Sequence, residues 1–195
     1  MLEGLMQRGK WEMGLKHHPY FTGVIVAIAL ASCSTQTHLS NSSSVPNQET
    51  QLQTVPLNQD DIVMGQTVYV PIYSHIYHYN SQDQVMNLSA TLSVRNTDST
   101  NPIIITAVRY YGTDGQLIRQ DIERPVALKP LASTSFFVAT DHTSGGSGAN
   151  FLVEWVAETK VSEPVIEAVM INTSGGQGIS LISSGKVVKQ RGNKH

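Results

Sequence analysis

Three histidines and a glycine-rich run are the residues whose types and spacing could do chemistry. His75 and His78 stand three apart, as paired metal ligands sometimes do. On a regular strand that spacing sends their rings to opposite faces, so they share an ion only where the strand bends. His142 joins them if its loop folds back. Copper or zinc held by His75, His78 and His142, or a hydrolase built around them and nearby acids, is the alternative reading; hydrogen-bonded surface histidines are the ordinary one. Ser144-Gly145-Gly146-Ser147-Gly148 invites comparison with a phosphate cradle. A P-loop needs Gly-Lys-Ser/Thr opening a helix, whereas no lysine follows here and the next segment reads as a strand. The run is expected to be a wide connection, with Ser144, Gly145, Gly146 and Asn150 kept as candidates for contact with a partner. There is no Gly-x-Ser-x-Gly elbow and no His-Glu-x-x-His. The acids Asp83, Asp98, Asp114, Asp121, Asp141, Glu154, Glu158, Glu163 and Glu167 fall mostly in turns or on polar faces. No catalytic residue, metal site or cofactor is assigned.

A better candidate for recognition is Val68 to Tyr79, VYVPIYSHIYHY. With a strand's period of two it separates Val68, Val70, Ile72, Ser74, Ile76 and His78 from Tyr69, Pro71, Tyr73, His75, Tyr77 and Tyr79. One face is mostly aliphatic and the other carries polar-tipped rings. Such rings either shield a sheet or form a binding strip for peptide or glycan. The candidate surface is Tyr69, Tyr73, His75, Tyr77 and Tyr79. Pro71 lacks an N–H and predicts an edge position, from which a strand can add to a partner's sheet.

Cys33 is the only cysteine, so no intramolecular disulfide can form. It follows Leu30-Ala31-Ser32 and the apolar run Phe21–Leu30, itself preceded by Lys10, Lys16, His17 and His18. The run is too short to span a bilayer, which needs about 20 residues, and fits the core of a signal peptide. An aliphatic residue, two small ones and a cysteine have the form of the bacterial lipobox, so lipidation at Cys33 is expected. Its acyl chains would anchor the protein to a membrane, facing the periplasmic or extracytoplasmic space. Met13 opens a cleaner leader than Met1, leaving the start open between them. The expected organisation is a lipoprotein signal peptide over 1–32, the lipidated cysteine and a disordered tether over 33–60, a domain over 61–184, and a disordered basic tail over 185–195. The tether is rich in Ser, Thr, Asn and Gln and has no aromatic residue to bury.

Only 14% of the 195 residues are charged, against 40% hydrophobic, which favours an all-β extracytoplasmic domain over a helical cytosolic one. Without residues 1–32 the chain has ten basic and thirteen acidic residues, so nucleic acid is an unsuitable partner. Strand patterns recur every eight to twelve residues. Leu88, Ala90, Leu92 and Val94 alternate with polar neighbours, Ile103–Tyr111 leads through Asp114-Gly115 into Gln116–Ile122, and Phe136 and Val138 face inward. Phe151, Val153, Trp155 and Ala157 share a face, and Val165–Asn172 and Gly178–Ser183 close the series. These elements predict an immunoglobulin-like two-sheet β-sandwich with Trp155 in its core.

The tyrosine stretch, Ser-Val-Arg-Asn-Thr-Asp, Tyr-Tyr-Gly-Thr-Asp-Gly, Pro-Leu-Ala-Ser-Thr and Ser-Gly-Gly-Ser-Gly-Ala-Asn-Phe resemble, in order, the bacterial domain of unknown function 3124 family. The resemblance covers about Thr67 to Ser183. It implies one secreted domain and brings no activity, cofactor or catalytic residue. The functional expectation is a lipid-anchored envelope module that binds or assembles with an envelope protein, peptide or glycan.

Overall fold

The computed structural model describes residues 52–176 and 178–192. The expected leader, Cys33 and the expected tether up to residue 51 lie outside them. Thirteen antiparallel strands follow one another: β1 (Gln53–Thr54), β2 (Met64–Pro71), β3 (His75–His78), β4 (Ser81–Asn87), β5 (Ser89–Arg95), β6 (Ile103–Tyr111), β7 (Leu117–Ile122), β8 (Val126–Leu128), β9 (Ser133–Val138), β10 (Asn150–Ala157), β11 (Val165–Asn172), β12 (Ile179–Ser184) and β13 (Lys186–Arg191). A seven-stranded sheet runs β1-β8-β6-β10-β2-β13, with β7 also paired to β6. A four-stranded sheet runs β12-β11-β5-β9, and β3-β4 is a separate hairpin.

Both large sheets contribute to one core, as the alternation of apolar residues requires. Val68, Val70, Ile105, Val108, Phe151, Val153 and Trp155 come from one sheet. Leu88, Ala90, Leu92, Val94, Ile166, Ala168 and Met170 come from the other and the segment entering it. The fold is therefore all-β and sandwich-like. Trp155 is 1% exposed, as its place on the Phe151–Ala157 face predicts. Opposite it, β6 carries a bulge: the register with β10 shifts between Glu154 and Trp155 and leaves Thr106 unpaired.

Two expectations about the ends change. The last residues of the 33–60 segment are ordered, since Gln53 and Thr54 pair with Ala127 and Val126 and the Val55 N–H donates to the Pro125 carbonyl at 3.0 Å. Over 186–191 the basic tail is a strand, β13, pairing with β2 from Gly65 to Tyr69. All six of its residues are exposed, so it is held by backbone bonds and no apolar pattern marks it. Between β12 and β13 the chain steps from one sheet to the other at Gly185. A Cβ there would meet the Ile166 carbonyl and the Val68 side chain at 2.6 Å, so the crossing passes too close for any side chain.

Because β13 covers it, β2 is not an edge strand along most of its length. Pro71 sits where the cover has ended. The neighbouring Ile72 N–H donates to Ala149 on the β10 side, so the Pro71 nitrogen points the other way, past the last paired position at Tyr69.

Candidate recognition surface

The tyrosine stretch does not form one strand. It leaves β2 at Pro71, bends through Ile72–Ser74 and resumes as β3. The predicted faces survive the bend: Val68, Val70, Ile72 and Ser74 are buried, while Tyr73, Tyr77 and Tyr79 are exposed. Tyr69 separates from the others. It is half-buried within the seven-stranded sheet, with Leu152 and Lys186 as cross-strand neighbours. His75 meets Tyr77 edge-on, with ring centroids 5.6 Å apart.

Ser74 fixes the bend. Its N–H donates to the Gly146 carbonyl at 2.9 Å and its carbonyl accepts from the Leu88 N–H at 2.8 Å. Its hydroxyl lies 2.9 Å from the buried Tyr110 hydroxyl, whose ring tilts against Phe151 at 5.2 Å. A serine on an aliphatic face was the signal for this pair; Tyr110, within a β-branched run, gave none. The glycine-rich loop explains itself here. The Gly145 carbonyl accepts from both the N–H and the hydroxyl of Thr113, each at 2.9 Å, and the Thr113 hydroxyl accepts from the Gly148 N–H at 2.8 Å. A Cβ on Gly145 would run into the Tyr110 and Ser74 hydroxyls. Gly145 and Gly146 thus fasten the base of the hairpin, with Ser144 beside them in the same turn. Asn150 begins β10, between Pro71 and Tyr111.

At the hairpin tip, His78 pairs with Ser81, leaving the two-residue turn Tyr79-Asn80. Tyr79 has φ 54° and is 85% exposed. That left-handed region suits glycine or asparagine, and a bulky residue there stores roughly 1–2 kcal/mol of strain. The His78 ring lies tilted against Tyr79, with centroids 4.4 Å apart, and its Nδ1 lies 2.9 Å from the Gln84 carbonyl oxygen. Beside them opens a groove of about 460 Å³ lined by His78, Tyr79, Asn87, Thr140, Asn172 and Ser174, among others. Its floor is braced by Asn172, whose amide donates to the Asn87 carbonyl at 2.5 Å and accepts from the Ser174 N–H and hydroxyl at 2.8 and 2.6 Å. The lining has hydroxyls, amides, an imidazole and a phenol, and no carboxylate or ammonium.

Among the described residues no three His, Cys, Asp or Glu side chains are placed to hold a metal ion. Asp98 lies in the turn between β5 and β6, as expected, but not as a solvated carboxylate. It is buried and accepts from the N–H groups of Ser162, Thr100 and Asn101 at 3.0, 2.9 and 2.8 Å. These backbone donors, Ser162 foremost, hold its carboxyl well below the ordinary range. Asn96 completes this node by donating to the carbonyls of Asn101, Leu128 and Lys129. Asp121 shifts the other way: burial pushes its carboxyl up, partly offset by Arg119 at 2.8 Å. Both acids sit in structural ties outside the groove lining.

Fold and surface define an all-β, sandwich-like domain that displays aromatic rings on a braced hairpin. The chain belongs to the family described as Protein of unknown function (DUF3124), whose model matches residues 65–188. No curated protein matches it. A solved structure titled "Crystal Structure of Thermotoga maritima 1070" is similar at a TM-score of 0.35 and 11% identity, covering 62% of this chain and 92% of that one.

Proposed function

We propose that this protein is a lipid-anchored, non-enzymatic binding or assembly module of the bacterial envelope. Its recognition surface is the β3–β4 hairpin tip with the groove beside it, and its partner is an envelope protein, peptide or glycan. The observation that carries the reading is Tyr79, an exposed ring held at positive φ. Strain kept at an exposed aromatic marks a position selected for what it presents, because glycine there would relieve the backbone. The anchoring half rests on Leu30-Ala31-Ser32-Cys33 and the apolar run before it, read as a signal peptide. The immunoglobulin-like description rests on two antiparallel sheets sharing one core around Trp155.

One experiment separates presentation from packing. Tyr79→Gly should raise stability by about 1 kcal/mol by releasing the left-handed strain. The same variant should lose partners that co-purify with the parent from its native membrane. A variant that keeps every partner removes the tip from the recognition surface.

A further inference from the structure

The end strands of the two large sheets are free edges, and among the described residues all but one are guarded against pairing with another chain. β1 is only two residues long. β13 carries Lys186, Lys189 and Arg191 and a register shift between Val187 and Lys189. On β9, the Arg119 guanidinium reaches across and donates to the Phe137 carbonyl at 3.0 Å. Charges, bulges, shortness and covering groups are the devices that keep a strand edge from extending a sheet.

β12 has none of them. Its six residues, Ile-Ser-Leu-Ile-Ser-Ser, include no charge and no proline. Its pairing with β11 is regular from Asn172↔Ile179 to Glu167↔Ser184. Among the described residues no strand pairs with its other side. Ile179 and Leu181 pack toward the core, while Ser180, Ile182 and Ser184 face outward, with Ile182 71% exposed. Across the sheet Ile182 continues into Val169, Thr91 and Phe137, which are cross-strand neighbours on the outer face.

We propose that β12 is a strand-addition edge and that its occupant is β12 of a second copy, paired antiparallel about a two-fold axis. Facing residues of an antiparallel pair lie on the same side of the sheet, so the symmetry centre must fall on a residue, and Leu181 and Ile182 are the centres that pair the most of the strand. About Ile182, that residue meets its own copy, Ser180 meets Ser184 and Leu181 meets Ser183. About Leu181, Ser180 meets Ile182 and Ile179 meets Ser183. Neither register opposes two charges, whereas β13 paired with itself would crowd six cations. The two four-stranded sheets then become one of eight strands, an isologous interface with Ile182 at or beside its centre.

The test uses the full chain with Cys33→Ser, so that no native thiol interferes. At high micromolar concentration it should sediment as a dimer. With Ile182→Cys or Leu181→Cys added, one of the two should cross-link under mild oxidation, because paired strands bring Cα atoms to disulfide distance. Ser180→Lys with Ser184→Lys, which opposes like charges directly about Ile182 and sets the new lysine at position 180 diagonal to its own copy about Leu181, should give a monomer with an unchanged melt. A parent that stays monomeric overturns the proposal. So does a dimer that survives the two lysines, or a monomer whose β12 amides resist hydrogen exchange because another part of the chain covers them.

Discussion

Trp155 is enclosed on every side, and its indole N–H has no acceptor among the described residues. Truncation to alanine should cost about 3–5 kcal/mol in denaturant melts, as large-to-small core changes do. Trp155→Phe should cost clearly less, since it also removes an unpaired buried donor that itself costs roughly 1–3 kcal/mol. Tyr73→Ala with Tyr77→Ala, both exposed, should stay within about 1 kcal/mol of the parent. If that pair melts as early as Trp155→Ala, the rings are core and the hairpin's outward face is misassigned. Asp98 makes a prediction in pH. Its folded carboxyl titrates below the unfolded value of about 4, so it stabilises the fold above that value and the contribution fades as pH falls toward the folded one. Asp98→Asn should therefore lower stability at neutral pH and flatten acid unfolding. Asp121, shifted upward, tilts the profile the opposite way, so a parent no more acid-sensitive than Asp98→Asn would refute the tie. Periodicity showed that Trp155 faces in; it could not show that the Asp98 turn closes on Ser162, because that contact joins residues 64 apart.

Among the elements, the strands legible in the chain are those with one buried and one wet face. β5 and β11 show it, and β10 alternates likewise over its first half, whereas β6 was legible as a β-branched and aromatic run buried along most of its length. β13 and most of β4 were not legible because their side chains are exposed on both faces, and β1 and β8 because two or three residues make no period. The candidate surface divides in the same way. Alternation identified the exposed tyrosines, but the bend that parts Tyr69 from the rest depends on Ser74, Tyr110 and Gly146, which are far apart in sequence. The glycine-rich loop was readable as a connection and not as the clamp at the hairpin's base. Gly145→Ala should destabilise by about 1–3 kcal/mol, the usual range for overpacking, and weaken order in the β3–β4 hairpin. Hydrogen exchange across 75–87 is the measurement; an unchanged pattern would separate loop from hairpin.

At the scale of the whole molecule, anchoring through Cys33 predicts that Cys33→Ser leaves an uncleaved or soluble precursor. The variant should take up no labelled fatty acid and should either keep its leader or leave the membrane fraction that holds the parent. If parent and variant fractionate alike and neither is labelled, the protein is not a lipoprotein. The seven-stranded sheet bears on this through its order, which starts at β1 and ends at β13, so the described chain enters at one edge and leaves at the other. A pull on the N-terminal side falls first on the two paired residues of β1 and the single bond from Val55 to Pro125. The long ladder between β2 and β10 lies behind them. Under tension that clip should open before the sandwich does, freeing the roughly ten residues ahead of β2, about 35 Å of contour of which about 19 Å is already spanned by the four strand spacings between β1 and β2. A single-molecule extension trace should show this short step before the main rupture, so that a strained tether would lengthen while the hairpin stays folded.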